Sequence, residues 1–384
     1  MTDAPVVFAA ILLLVAGVVP AVAARFPARL FEFLPPIVLS YAASTLLAMA
    51  GCWRSSPGID AVRSAILGHL LPALVFLMLV RCDLRAVAAL GPRVLLAAAC
   101  STVSILAGIV VAWLAWRPLL PAEGWQVFAA LGATWVGGTA NLVAVSRALD
   151  AEADTVSLAL VTDTVGYTIW VLMLFASVPL ASRFNRWAGA ADSAAAVAVP
   201  RAAAGRLVPG GVLAWLGGGM LVGAAAAALA DRLPAFGVIT ATSWTLLIVT
   251  AAGCLAGLTP LARMPGADAI SSALLSLVVV TMASQASLEG LEQAPAFVAA
   301  GLTILAVHAA LLVLAARVLK LDLALCGIAS LANVGGVGSA PVLAAAHAQS
   351  LAPVGVLLGL LGYVVGTPAG LALAAFLPRL GGGG

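Results

Sequence analysis

One acidic residue lies well inside an apolar stretch of this 384-residue chain: Asp163, in Leu160-Val-Thr-Asp-Thr-Val-Gly166. It sits about nine residues from the nearest polar edge, or ~13 Å deep at the helical rise per residue. A lone carboxylate at that depth is costly unless it is neutral, paired, or solvated by a cavity and a bound cation. With the hydroxyls of Thr162 and Thr164 beside it, Asp163 is the candidate for holding a coupling ion, Na+ or H+. A structural hydrogen-bonding role is the alternative.

Two further constellations each put a double glycine among small polar residues inside an apolar segment. The first contains Thr134, Trp135, Gly137, Gly138, Thr139 and Asn141; the second contains Asn333, Gly335, Gly336, Gly338 and Ser339, with Ser330 just before it. Each segment reads as a run of helix-compatible residues, then Gly-Gly, then a second run, so that each arm reaches ~15–20 Å and the break falls near mid-membrane. Glycine there frees backbone groups, which hydrocarbon tolerates only where protein or a watery cavity covers them. Freed N–H groups at the start of a second arm favour an anion, and freed carbonyls at the end of a first arm favour a cation. The Thr, Ser and Asn side chains add neutral donors and acceptors at that depth, and Trp135 either packs or lines a substrate cavity. Close helix packing through small residues is the competing explanation.

These residues must be positioned by membrane-spanning helices. With 64% hydrophobic and 9% charged residues, the composition excludes a water-soluble globule. Apolar segments fall at about 5–24, 35–52, 65–81, 93–116, 124–149, 154–181, 210–230, 235–258, 268–288, 295–319, 322–347 and 351–378. None alternates as a barrel strand would, so the fold class is an all-α polytopic membrane protein. A polar stretch, 182–209, divides the chain into a first half, 1–181, and a second, 210–380. The halves look duplicated: Ser56-Pro-Gly-Ile-Asp-Ala-Val-Arg-Ser-Ala65 matches Met264-Pro-Gly-Ala-Asp-Ala-Ile-Ser-Ser-Ala273, and the double-glycine segments are fifth of six in each half.

Charge bears on the topology. If all twelve segments cross, the 18 Lys and Arg divide eleven to seven between the two faces; if 124–149 and 322–347 dip in and return, they divide twelve to six. The second arrangement gives two inverted repeats, each of about five crossings plus a re-entrant or broken hairpin with a Gly-Gly tip. On the positive-inside rule the basic face, which includes the 182–209 linker, is cytoplasmic.

Leu79-Val-Arg-Cys-Asp-Leu-Arg85, Gly91-Pro-Arg93 and Trp135-Val-Gly-Gly-Thr-Ala-Asn141 resemble the uncharacterised membrane-protein family numbered 819 among domains of unknown function, over nearly the whole chain. That family is in turn similar to sodium-coupled glutamate and 2-hydroxycarboxylate transporters, whose halves hold five crossings plus a re-entrant hairpin tipped by Gly-Gly-X-Gly. Gly335-Gly-Val-Gly338 fits that pattern, whereas Gly137-Gly-Thr-Ala140 departs from it at the last position. The Gly-Gly-Thr-Ala-Asn run also resembles the broken crossing helix of bile-acid sodium symporters. The resemblance implies a secondary transporter, a homodimer and a bacterial inner-membrane location.

The expected function is ion-coupled transport of a small polar, carboxylate-bearing solute by alternating access, with the Gly-Gly tips and their polar neighbours as the substrate site. No cofactor beyond a bound Na+, no nucleic-acid partner and no enzymatic activity are expected, since no nucleophile elbow, metal motif or nucleotide loop is present. An intramembrane enzyme acting on a lipid-linked substrate is the rival, and it would need His69, His308 or Tyr363 within reach of Asp163. The five cysteines are scattered and read as small buried side chains.

Overall fold

A computed structural model describes residues 2–26, 36–82, 84–190, 209–236, 239–285 and 291–381. The described residues are helical, joined by short turns and two isolated β-bridges. In order, the helices are α1 (Pro5–Arg25), α2 (Pro36–Met49), α3 (Pro57–Val80), α4 (Leu84–Ala88), α5 (Pro92–Trp116), α6 (Trp125–Gly137), α7 (Thr139–Ala148), α8 (Ala153–Ser177) and α9 (Ala181–Ala188). There follow α10 (Pro209–Ala230), α11 (Ala241–Gly257), α12 (Ala267–Ala283), α13 (Ala294–Leu319), α14 (Leu323–His347) and α15 (Ala352–Phe376). Among the described residues, eight helical stretches are long and apolar enough to cross a bilayer. The protein is a polytopic helical membrane protein.

Local chemistry explains several boundaries. Ser56 caps α3 by accepting the Ile59 N–H at 3.4 Å, and Pro57 occupies the first helical position, where no N–H is needed. The helix therefore starts eight residues before the apolar segment expected at 65–81. Its polar first turns are accommodated because Arg63 bonds Asp60 at 2.8 Å and the Ser284 hydroxyl at 3.0 Å. Part of the stretch expected as a polar linker, 182–209, is the helix α9, and 191–208 lie outside the described residues.

The first three elements of each half pack together. Helix α3 packs on α10 and α11, and α12 packs on α1 and α2. Gly219 and Gly223 of α10 let α3 approach through Ala73 and Pro72, while Gly253 and Gly257 of α11 meet Leu79 and the Cys82 carbonyl. The Ser44 hydroxyl donates to the Val280 carbonyl at 2.8 Å, joining α2 to α12. The last three elements of each half form a second body, in which α5 packs on α13 so closely that a Cβ at Gly108 would lie 2.7 Å from the Ile304 carbonyl oxygen.

Both double-glycine segments double back. Gly138 adopts φ 79°, ψ 170° and Gly336 φ 63°, ψ −155°, conformations essentially reserved for glycine. Beyond Gly138, α7 returns alongside α6: Val145 Cγ2 and Ala133 Cβ both lie within 3 Å of the position a Gly370 Cβ would take, at 2.7 and 2.8 Å. A straight helix would hold those two residues ~18 Å apart. In α14, Leu343 and His347 lie 3.6 and 4.0 Å from the corresponding point on Gly327, residues a straight helix would separate by more than ~20 Å. Although α14 is long enough to span, its second arm folds back on its first at Gly336.

Candidate functional site

Helix α15 carries both hairpin tips. Its glycines form one face: Gly355 meets Ala340 and Pro341, Gly359 meets Gly336 and Val337, Gly362 meets the Val136 carbonyl, Gly366 meets Asn141, and Gly370 meets Ala133 and Val145. A Cβ would lie within 3 Å of backbone at Gly355, Gly359, Gly362 and Gly366, and of the Val145 and Ala133 side chains at Gly370, so glycine is what permits two tips to rest on one helix. Gly359 and Gly362 are less than one turn apart, which places the tips within ~5 Å of each other along the α15 axis, near its middle.

Helix α8 faces the tips from another side through residues spaced at i, i+4 and i+7. The Trp135 indole N–H donates to Asp163 Oδ1 at 2.7 Å, so Asp163 stands at the first tip. One turn on, the Tyr167 ring lies beside Gly335 and Ser339 at the second tip. One turn further, the Trp170 indole donates to the Ser330 hydroxyl at 2.8 Å. Tyr363 of α15 completes the group, its ring 3.3 Å from a Cβ position at Gly138. Gly138, Thr139, Asp163, Tyr167, Gly335, Val337, Ser339 and Tyr363 are half-buried and Gly338 is exposed, whereas the first arms around them are almost entirely buried.

The other expected site residues divide by role. Asn141 is buried across the first tip: its amide donates to the Gly137 carbonyl, and its carbonyl accepts the Thr367 hydroxyl at 2.6 Å. One freed carbonyl of the break is therefore engaged by a side chain. Thr134 is buried in the last turn of α6, where its carbonyl accepts the Gly138 N–H. Thr139 opens α7, whose first N–H groups lack the partners a preceding helical turn would supply. Asn333 points to α5 instead, with its amide 3.1 Å from both the Ser101 and Thr102 hydroxyls. The Thr164 hydroxyl donates to the Leu160 carbonyl at 2.7 Å. The Thr162 hydroxyl is buried with no hydrogen-bond partner, and its methyl group faces Gly301.

Beside the second hairpin lies a buried polar chain. The Ser104 hydroxyl donates to the Ser101 carbonyl at 2.8 Å, so His308 Nδ1, 2.7 Å away, must carry the proton it shares with Ser104. Nε2 then accepts from the Ser330 hydroxyl at 2.8 Å, which in turn accepts from Trp170. Through these bonds His308 ties α5, α8 and α13 to the first arm of α14. His308 is thus engaged away from Asp163, and Tyr363 faces Gly138. Among the described residues no group of three His, Cys, Asp or Glu converges as a metal site.

Residues 10–380 match the family described as a protein of unknown function, DUF819. The chain belongs to this family. No curated protein matches the chain. The site of this DUF819 member thus stands on its own geometry: two glycine tips held between α15 and α8, with the Asp163 carboxylate at the first and the Tyr167 ring at the second. Tyr167 was not singled out from sequence, although its position four residues after Asp163 puts both on one helical face.

Proposed function

We propose that the protein is an ion-coupled secondary transporter of a small, polar, carboxylate-bearing solute, working by alternating access in the bacterial inner membrane as a homodimer of chains with two inverted repeats. The observation that carries this reading is the meeting of two interrupted hairpins on one helix, near the middle of its length. Irregular backbone at membrane depth is characteristic of solute and ion sites in secondary transporters. The opening N–H groups of α7 and of the second arm of α14 suit a carboxylate, reinforced by Thr139 and Ser339. Trp135 engages Asp163 Oδ1 and leaves Oδ2 for Na+ or H+, and the unpartnered Thr162 hydroxyl is a neighbouring oxygen. The two-body packing supports the same reading, because alternating access needs one body to move against another.

The experiment is uptake into proteoliposomes of radiolabelled mono-, di- and tricarboxylates under an inward Na+ or H+ gradient, comparing the parent with Asp163→Asn. Gradient-driven uptake in the parent and its loss in the variant are expected. Unchanged gradient dependence in the variant would remove Asp163 from coupling, and uptake of none of these anions by the parent would remove the substrate class.

A further inference from the structure

Helix α9 has no part in the site above, and its sequence, Ala-Ser-Arg-Phe-Asn-Arg-Trp-Ala, is strongly two-sided. Together α8 and α9 form an apolar helical stretch from Ala153 to Ala188 of 36 residues. That length would be ~54 Å, more than the ~45 Å of a bilayer with its headgroups. A 3-10 turn at Val178–Leu180 interrupts the stretch, so α9 falls at headgroup level. Arg183, Arg186 and Trp187, at i, i+3 and i+4, share its outer face and are exposed, Trp187 by 50%. Phe184 and Trp187 pack with ring centroids 5.5 Å apart.

From α13, the Arg317 guanidinium lies 5.8 Å over the Trp187 ring, and exposed Lys320 follows one turn later. Three guanidinium groups and two aromatic rings therefore share one patch, and Lys320 ends α13 three residues after Arg317. None of the ion pairs among the described residues involves these four cations, and the nearby Asp322 is buried, accepting the Leu325 N–H at 3.0 Å. The opposite face of α9 is buried at Asn185 and Ala188, and Asn185 Oδ1 accepts the Leu323 N–H at 2.9 Å, capping the first arm of α14.

We propose that Arg183, Arg186, Arg317 and Lys320, with Phe184 and Trp187, form a binding site for the phosphate of an anionic phospholipid headgroup, which braces the base of the second glycine hairpin through Asn185. The arginines supply paired donors to phosphate oxygens, and the rings sit at the depth where indoles and phenyl groups anchor. A zwitterionic lipid brings its own ammonium into the same patch, so an acidic headgroup is selected over phosphatidylcholine. This proposal is independent of what, if anything, the protein transports.

Native mass spectrometry of the full-length protein in detergent, titrated with phosphatidylglycerol or phosphatidylcholine, tests it. The parent should retain phosphatidylglycerol preferentially. Each cation near a headgroup is worth about fivefold in affinity, so Arg183→Gln with Arg186→Gln should weaken phosphatidylglycerol about 25-fold and leave phosphatidylcholine unchanged. Arg183→Lys with Arg186→Lys, which keeps the charge, should retain most of the affinity, and Arg232→Gln, on a distant exposed turn, should have no effect. In parallel, phosphatidylglycerol should slow hydrogen exchange of the Leu323 amide in the parent but not in the glutamine pair. Equal retention of both lipids by the parent, or phosphatidylglycerol binding that survives the glutamine pair, would overturn the proposal.

Discussion

Alanine at Gly336 isolates the energy of the backbone break from every other effect. A Cβ built there meets nothing within 4 Å, so packing opposes the substitution nowhere. The whole penalty is the dihedral strain of φ 63°, ψ −155°, about 1–3 kcal/mol, or roughly five- to 150-fold in the folded-to-unfolded ratio. Gly338, two residues on, is the internal control: it is exposed, its φ is not positive, and a Cβ there also meets nothing within 4 Å. Alanine at Gly338 should be neutral or stabilising by up to about 1 kcal/mol, the difference in helix propensity. Unfolding free energies measured by SDS titration in mixed micelles should therefore separate the two variants by at least about 1 kcal/mol. If Gly336→Ala is no worse than Gly338→Ala, the chain runs through this point as ordinary helix and the hairpin argument fails there.

Three further outcomes follow from named contacts. Trp135→Phe removes the indole donor at Asp163 while keeping most of the packing, a loss of about 1.5–3 kcal/mol for a bond to a charged group; the Na+ or H+ dependence of uptake should shift by roughly 10- to 150-fold, and an unchanged dependence would separate Trp135 from the ion. Gly362→Ala puts a Cβ 2.5 Å from the Val136 carbonyl oxygen and should abolish uptake while the protein still inserts; Gly17→Ala, with nothing within 4 Å, should do neither, and equal activity of the pair would deny that α15 seats the first tip. His308→Ala strips the Ser104 and Ser330 hydroxyls of a shared partner and opens a cavity, which should lower the unfolding free energy by about 2–4 kcal/mol; a loss below about 0.5 kcal/mol would mean the chain of hydroxyls does not clamp α14.

The spans and the two breaks were legible in sequence because each depends on local composition. An apolar run long enough to cross reads as a helix, and a Gly-Gly pair inside one frees backbone that glycine alone can bend sharply. The direction taken after each break left only a faint trace in the sequence, the twelve-to-six division of Lys and Arg against eleven to seven, since a straight helix and a hairpin share the same apolar pattern. What decides it is the glycine face of α15, at Gly355, Gly359, Gly362, Gly366 and Gly370, whose meaning depends on partners far away in the chain. The early start of α3 was hidden for a similar reason: Asp60 and Arg63 look like a loop until Ser284, more than two hundred residues on, supplies the second partner of the arginine. Arg183 and Arg186 likewise disguised α9 as linker, because they end an apolar run while sitting on one face of an amphipathic helix. Asp163 stood out as the one deep acid, whereas Tyr167 gains its place only once the second tip is brought beside α8.

Two hairpins that meet tip to tip require each double-glycine segment to enter the membrane and leave by the same face. In a background freed of native cysteines, single cysteines at Glu123 and Asp150 flank the first hairpin, and single cysteines at Lys320 and Ser350 flank the second. Labelling with a membrane-impermeant maleimide, applied to right-side-out and inverted vesicles, reports the face of each. Glu123→Cys and Asp150→Cys should react from one common side, and Lys320→Cys and Ser350→Cys from one common side. If the two ends of either segment label from opposite sides, that segment crosses the bilayer and the meeting of two tips is contradicted.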